Sequence, residues 1–264
     1  MDTFIFRTRH TDPWHNLALE EHLLGEVRKD DFVLYLWQNQ NTVVIGKNQN
    51  PWKECRLEEL KADGGRLARR ISGGGAVFHD LGNLNFSFLM GRAHYNLGRQ
   101  LEVILGALRG CGIVAQFSGR HDLTVDGRKF SGNAFCFKPG GALHHGTLLL
   151  DADMKKLGRY LKVSDEKIKS KGVASVQARV VNLKEYEPSL TIDALCDALS
   201  SSFLEMYGGK GIRLDEDERI EGKIEPLFRK HCSWPWLYGE SPRFDIELDK
   251  RFSWGGIEIG RAHV

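Results

Sequence analysis

Two arginines run into three consecutive glycines in the segment Arg69-Arg70-Ile71-Ser72-Gly73-Gly74-Gly75-Ala76-Val77-Phe78-His79-Asp80-Leu81-Gly82-Asn83. Glycines carry no side chain, so their backbone N–H groups can approach a ligand closely. Successive N–H groups in such a turn form a concave anion site. Arginine adds a planar fork of donors that matches phosphate or carboxylate. The chemistry implied is anion binding; the alternative is a glycine turn between strands beside surface arginines.

Two other segments carry residues suited to the same task. In Asp126-Gly127-Arg128-Lys129-Phe130-Ser131-Gly132-Asn133-Ala134, a lysine follows a tight turn and precedes small residues. That pattern suits a cation aimed into a cleft, and equally an ordinary surface charge. His144-His145-Gly146-Thr147 enters an apolar strand. Adjacent strand residues face opposite sides of a sheet, so the two histidines cannot readily share one metal ion, and hydrogen bonding is the expected role.

Familiar nucleotide and hydrolase signatures are absent. Gly46-Lys47 is followed by Asn48 and lacks the earlier glycine of a phosphate loop. Gly73 and Gly75 are followed by Phe78 where a dinucleotide fingerprint needs glycine. There is no His-Glu-x-x-His and no Gly-x-Ser-x-Gly. The five cysteines (Cys55, Cys111, Cys136, Cys196 and Cys232) form no Cys-x-x-Cys pair. They argue against a zinc ribbon or a disulfide framework, and Cys111 and Cys136 are read as the core cysteines.

The elements that must position these segments can be read from capping and periodicity. Asp12 and Pro13 sign a helix start, and Trp14, Leu17, Leu24 and Val27 follow at helical spacing. Residues 4–6, 32–37 and 42–45 read as strands, the last two joined by an Asn-rich turn. Residues 67–71, 76–79, 85–90 and 147–150 are further strands, and residues 123–125 and 129–130 flank an Asp126-Gly127 hairpin turn. Helices are expected near residues 56–62, 101–108, 154–161 and 192–207. Strands come mostly in adjacent pairs, which predicts an α+β fold: a mixed, largely antiparallel sheet flanked by helices. Asp215-Glu216-Asp217-Glu218 reads as a solvated segment.

The 264 residues carry 37 Lys+Arg against 35 Asp+Glu, a net charge of +2, without the basic bias of a dedicated nucleic-acid binder. No run of apolar residues is long enough to span a membrane, and the first residues do not follow the pattern of a secretion signal. A cytoplasmic location with no nucleic-acid or membrane partner is the expectation.

Taken together and in order, the three segments resemble the bacterial lipoate–protein ligase A family. The resemblance rests on Arg-Arg-x-Ser-Gly-Gly-Gly-Ala-Val-Phe-His-Asp-x-Gly-Asn, then Asp-x-x-x-x-Gly-x-Lys-x-Ser-Gly-Asn-Ala, then His-His-Gly-Thr-Leu-Leu. Asp12-Pro13-Trp14, Asn50-Pro51-Trp52-Lys53-Glu54-Cys55 and Ser175-Val176 also fit, and the likeness extends to about Glu258. It implies a catalytic domain of the biotin/lipoate-ligase type and a two-step reaction. Lipoate attacks the α-phosphate of ATP to give lipoyl-AMP and pyrophosphate. A lysine of an apo lipoyl domain then takes the lipoyl group and releases AMP. Mg²⁺ is implied with ATP, and the implied acceptors are the lipoyl domains of 2-oxoacid dehydrogenase E2 subunits and the glycine-cleavage H protein.

The resemblance also implies roles for single residues. Arg70 and the backbone of Gly75, Ala76, Val77 and Phe78 would contact the nucleotide, with Asp122 near the adenylate. Lys129, the implied catalytic residue, would bridge the lipoate carboxylate and the α-phosphate. Trp37, Glu20, Val77 and His145 would surround the dithiolane end of lipoate, with Ser72 and Gly74 also on the lipoate side. Alternatives are an ATP-independent octanoyl or lipoyl transferase, a transferase that uses only preformed lipoyl-AMP, and a non-catalytic lipoyl-domain binding module.

Residues 1–245 are expected to form the catalytic domain and residues 246–264 the stub of a truncated small C-terminal domain. The final Ile259-Gly260-Arg261-Ala262-His263-Val264 is what the codons ATC-GGA-AGA-GCA-CAC-GTC encode, a string that matches a common sequencing adapter, so an artefactual end is expected. Such a chain should transfer lipoyl from lipoyl-AMP better than it activates free lipoate.

Overall fold

Strand β2 (Asp31–Trp37) shows how the fold is built. It reads as one apolar run, yet alternate residues go to different cores: Phe32, Leu34 and Leu36 to one side, Val33, Tyr35 and Trp37 to the other. A strand covered on both faces needs no polar side. In the computed structural model, which describes residues 2–118, 122–162, 180–209, 211–214, 218–242, 245–252 and 255–263, β2 lies inside an eight-stranded sheet.

The sheet also contains β1 (Asp2–Arg7), β6 (Asn83–Gly91), β7 (Gln116–Phe117), β8 (Asp122–Val125), β9 (Arg128–Phe137), β10 (Gly141–Leu149) and β11 (Ile212–Leu214), in the order β11-β1-β2-β6-β10-β9-β8-β7. The β11, β1 and β2 strands pair in parallel, and every ladder from β2 to β7 is antiparallel. The predicted α+β class with a mixed, largely antiparallel sheet holds. Between β8 and β9, Asp126 (φ 49°) and Gly127 (φ 74°) form the tight turn read from the sequence.

One face of the sheet is covered by α4 (Leu97–Gly110) and α6 (Ile192–Tyr207), through Leu101, Ile104, Leu108, Leu195, Leu199 and Phe203. The opposite face carries α1 (Pro13–Glu26), with Ile224 of α7 (Glu218–Cys232) in the same core. As expected, Asp12 caps α1, its Oδ1 accepting from the Trp14 and His15 amides at 2.9 and 3.1 Å. Helix α1 is buried around most of its girth, and it carries Asn16 and Glu20 into the interior along with Leu17, Leu19 and Leu23. Glu21 ties it to α7: its carboxylate accepts from Lys230 Nζ (2.7 Å) and His231 Nε2 (2.9 Å). Burial alone would raise the Glu21 pKa, but His231 and Lys230 outweigh it and hold the carboxyl at about 2.

The Asn-rich turn after β2 does not close a hairpin. Strand β3 (Thr42–Ile45) leaves the large sheet and starts a second one, β4-β3-β5, with β4 (Arg66–Arg69) parallel and β5 (Val77–His79) antiparallel. The small sheet has its own core of Val43, Ile45, Leu67 and Phe78, closed by Leu60, Tyr160 and Leu237. Around it lie α2 (Pro51–Glu54), α3 (Leu57–Ala62) and α5 (Met154–Tyr160). Residues 245–263 contain an antiparallel pair, β12 (Asp245–Phe252) and β13 (Gly255–His263). Among the described residues no helix is long and apolar enough to cross a membrane. The Ser175-Val176 pair and Asp215 to Asp217 fall outside the described residues.

The cysteine reading needs correction. Cys55 and Cys196 are the buried pair, whereas Cys111 and Cys136 are partly exposed. Helix α6 and the segment before α3 turn Cys196 and Cys55 inward, and no motif around either marks that direction.

Candidate active site

The glycine segment is the turn between β4 and β5. Its conformation is set by Arg70, whose guanidinium lies inside the turn. Nη2 donates to the carbonyls of Gly73 (2.8 Å) and Gly75 (2.7 Å), Nε to Ser72 Oγ (3.1 Å), and Nη1 to Val44 O (3.2 Å). With these carbonyls drawn inward, the amides of Gly73, Gly74, Gly75 and Ala76 meet no acceptor among the described residues. The three glycines are exposed. Free N–H groups in a row on an open turn are the anion-binding arrangement expected. Arg70 itself departs from the expectation: its fork is occupied by the loop rather than held out toward a ligand. Burial pushes its pKa down to about 10, with Glu20 partly offsetting, so the group is still charged at neutral pH.

Sheet register places the rest. Tyr35 pairs with Ser87, Ser87 with His145, and His145 with Ala134. Directly opposed residues share a face of the sheet, so β2, β6, β10 and β9 present one row of side chains beneath α1. Glu20 reaches down to this row. Its Oε1 accepts from Ser87 Oγ at 2.5 Å and lies 2.8 Å from His145 Nδ1. His145 Nε2 is 2.6 Å from Ser72 Oγ, and Trp37 Nε1 donates to Ser87 Oγ at 3.0 Å. Trp37, Glu20, His145 and Ser72 are therefore brought together by one buried hydrogen-bonded chain that ends at the glycine turn. Glu20 Oε2 has no partner. Val77, partly buried, packs against the core on this same face. His144 points the other way, to Gln100 of α4 and Asn133, as strand alternation requires.

Of three further residues, Ser87 is not singled out by the sequence, His79 stands in the glycine segment without an assigned role, and Arg69 is read with Arg70 as a donor to anions. Ser87 is one of many small residues on a strand, and nothing local marks it. His79 closes the glycine segment, and its ring meets Trp37 edge-on at 6.2 Å. Asn16 Nδ2 donates to Asn39 Oδ1 (3.0 Å), which leaves Asn39 Nδ2 as donor to His79 Nδ1 (3.2 Å). His79 is thus neutral with its proton on Nε2, which has no partner. Burial, then Arg70 and His145, push its pKa down to about 3. Arg69, the third, is fully buried and is treated below.

Lys129 opens β9. Its ammonium lies 2.7 Å from Asp122 Oδ1, and both side chains remain about a third or more exposed. Asp122 stands opposite Gly132 in the ladder. A methyl group at Gly132 would come within 3.2 Å of Lys129 Nζ, so the lysine folds back along β9 to that residue. A methyl at Gly74 would sit 3.9 Å from the Ala134 Cβ. Gly132 and Ala134 are two apart on one face of a strand, about 7 Å. Lys129 and the glycine turn therefore overlie the same face of β9, next to the Glu20–His145 row. Of the predicted site residues, Gly74, Asp122 and Lys129 are brought to this stretch of β9. Phe78 buries its side chain in the small-sheet core, so only its backbone can contribute.

Burial pushes Cys55 and Cys196 up to about 12 and raises Cys111 and Cys136 as well, opposite to what a nucleophilic cysteine needs.

An exposed row of amides and a paired lysine thus lie beside a buried hydrogen-bonded chain on one sheet face. The chain belongs to the lipoyl protein ligase A/B catalytic-domain family, whose description matches residues 12–204. The structure of P. falciparum LipL1 in complex with lipoate is 32% identical, with a TM-score of 0.80 over 97% of this chain and 80% of that one. Lipoate-protein ligase A bound with ATP is 26% identical, with a TM-score of 0.79 over 91% of this chain and 100% of that one. A bipartite ligase of Thermoplasma acidophilum, described with its E2 lipoyl domain, is 28% identical with a TM-score of 0.81, covering 91% of this chain and 97% of that one.

Proposed function

We propose that the chain is an ATP-dependent lipoate–protein ligase, acting in the cytoplasm in two steps. In the first, a lipoate carboxylate oxygen bonds to the α-phosphorus of ATP, the bond to the bridging oxygen breaks, and pyrophosphate leaves. In the second, the ε-amine of a lipoyl-domain lysine bonds to the acyl carbon, AMP leaves, and the amine loses a proton. The observation that carries this reading is that the glycine turn, with its unpaired amides, and the Lys129 ammonium both approach the 132–134 stretch of β9. Both steps put charge on oxygen, and fixed donors aimed at that oxygen are the natural catalyst.

In this reading the amides of Gly75, Ala76, Val77 and Phe78 hold the nucleotide, and Arg70 serves it by holding the turn open. Lys129 bridges carboxylate and α-phosphate, exchanging its bond to Asp122 for the two substrate anions. Trp37, Glu20, His145, Ser72, Gly74 and Val77 form the lipoate side, where each buried CH₂ is worth about 0.8 kcal/mol. Among the described residues no three His, Cys, Asp or Glu side chains cluster as metal ligands. Mg²⁺ would then be held through ATP phosphates and waters, as this ion commonly is, and would neutralise phosphate charge.

The bipartite relative described with its E2 lipoyl domain supports lipoyl domains of E2 subunits as acceptors, and we extend this to the glycine-cleavage H protein. We assign residues 1–245 to the catalytic domain and 246–264 to a separate C-terminal unit. The deciding experiment follows lipoate-dependent pyrophosphate release and the mass of an apo lipoyl domain. A gain of one lipoyl group that requires both ATP and free lipoate is expected. Lipoylation from an acyl carrier without ATP would overturn the assignment.

A further inference from the structure

Arg69 and Arg70 are neighbours with separate destinations. Arg70 organises the glycine turn, whereas Arg69 carries its guanidinium to the other side of β4. There Nη1 donates to Lys47 O (2.7 Å), Gln49 O (2.8 Å) and, more weakly, Gly46 O (3.3 Å). Nη2 donates to Leu237 O (2.7 Å) and Ser241 Oγ (3.1 Å). Arg69 is fully buried, and its bonds to Gly46 O and Leu237 O are buried with it, so those two carbonyls have no ready replacement for the guanidinium. The backbone of Arg69 is held from the same direction, since Trp236 Nε1 donates to its carbonyl at 2.9 Å.

Residues Pro235–Gly239 form a single wide turn with i to i+5 hydrogen bonding, closed by Glu240 N to Pro235 O at 3.0 Å. Such turns are rare and recur at functional sites. Here the turn aims the Leu237 carbonyl at Arg69 while the Leu237 side chain enters the small-sheet core. On the opposite side of Arg69, the Gly46–Gln49 bend supports the glycine turn directly. Lys47 N donates to Ser72 O at 2.8 Å, and a methyl at Gly46 would fall 2.3 Å from Gly74 O.

We propose that Arg69 is a positioning residue that makes the placement of the anion-binding glycine turn depend on docking of the 235–241 segment. The dependence runs from Leu237 and Ser241 through the guanidinium to the Gly46–Gln49 bend, and from there to Gly74. The proposal rests on the nucleotide role given to that turn above.

The test uses the full chain with Arg69→Lys and Ser241→Ala, read by hydrogen exchange and by ATP titration. The amides of Gly46, Lys47 and Gln49, hydrogen-bonded in the native protein, should exchange about tenfold faster in Arg69→Lys and several-fold faster in Ser241→Ala. Amides of α4 and α6 should be unchanged, and the Kd for ATP should rise in the same order. Uniform acceleration across the chain, or native exchange at the bend, overturns the proposal. If Arg69→Lys fails to fold, Ser241→Ala decides alone on the same criterion. A native chain that never binds ATP would instead sink the functional reading, since the exchange result is independent of it.

Discussion

The two ends of the candidate site use polar groups in opposite ways. At the glycine end the donors are exposed: three glycines face solvent, and Lys129 is reachable beside Asp122. At the Trp37 end they are buried and mutually bonded, with Glu20 and Ser87 at zero exposure and Trp37 at 3%. An anion with several charges can be met by fixed dipoles at a surface. In the proposed function the acyl chain offers no charge, so the place that takes it would be defined by shape. Buried polar groups there hold the walls in place, because each is costly to leave unpaired. The difference predicts that mutations at the glycine end act first on rate and nucleotide affinity, and those at the Trp37 end act first on stability and selectivity.

The sharpest break is Lys129→Ala. Its side chain is 41% exposed, so folding should be little changed. Removing one preorganised donor typically costs about 10²–10³ in rate, and lipoate-dependent pyrophosphate release should fall by that much. A variant within threefold of wild type would remove Lys129 from the reaction.

The buried end should answer to pH. His79 is neutral when folded, with its pKa pushed down from 6.5 to about 3. The unfolded chain binds the proton that the folded one refuses, so this stability is full above pH 6.5 and is lost as pH falls toward 3. At pH 4.5, two units below the unfolded pKa at 1.36 kcal/mol per unit, the loss is about 3 kcal/mol. Urea midpoints at the two pH values should show it, and His79→Asn should flatten the difference. An equal slope in the variant would mean that other groups carry the acid sensitivity.

On the proposed function, Trp37→Val should enlarge the space for the acyl chain. Space for extra methylene groups in an apolar pocket is worth about 10–200-fold in discrimination. Competition between lipoate and longer carboxylic acids should move in favour of the longer acid by an amount near the low end of that range. Unchanged selectivity, with the variant folded, would place Trp37 in the core alone.

How far these ends could be read beforehand follows from where their information sits. The Asp12 cap, the Asp126-Gly127 turn and helix α6, found at the expected residues 192–207, depend on neighbours within a few positions. So does the alternation that sends the two adjacent histidines to opposite faces. The departure of β3 from the large sheet depends on its pairing with β4 and β5, and no periodicity encodes that choice. Ser87 matters because the ladder sets it opposite His145. Arg69 bonds to Leu237, 168 positions away, and local sequence does not separate its fate from that of Arg70. The order of the three motifs carried the family likeness, which the family match over residues 12–204 bears out. The internal use of Arg70 became visible only with the turn's carbonyls in place.

The smallest effect separates two adjacent glycines. Gly74 has φ +95°, and a methyl there would meet Arg70 Nη2 at 2.9 Å. Gly73 has no such backbone constraint and nothing within 4 Å of the added carbon. Gly74→Ala should cost about 1–2 kcal/mol from the left-handed backbone alone. It should also slow pyrophosphate release, because Arg70 can shift only by releasing the carbonyls that keep the amides outward. Gly73→Ala should leave stability within about 0.5 kcal/mol. Its methyl would occupy the open side of the turn, where the functional reading seats the nucleotide, so ATP affinity should drop with no change in Tm. Thermal melts paired with ATP titrations of both variants check this. Gly73→Ala binding ATP as tightly as wild type would mean that the open side of the turn is not where the phosphates lie.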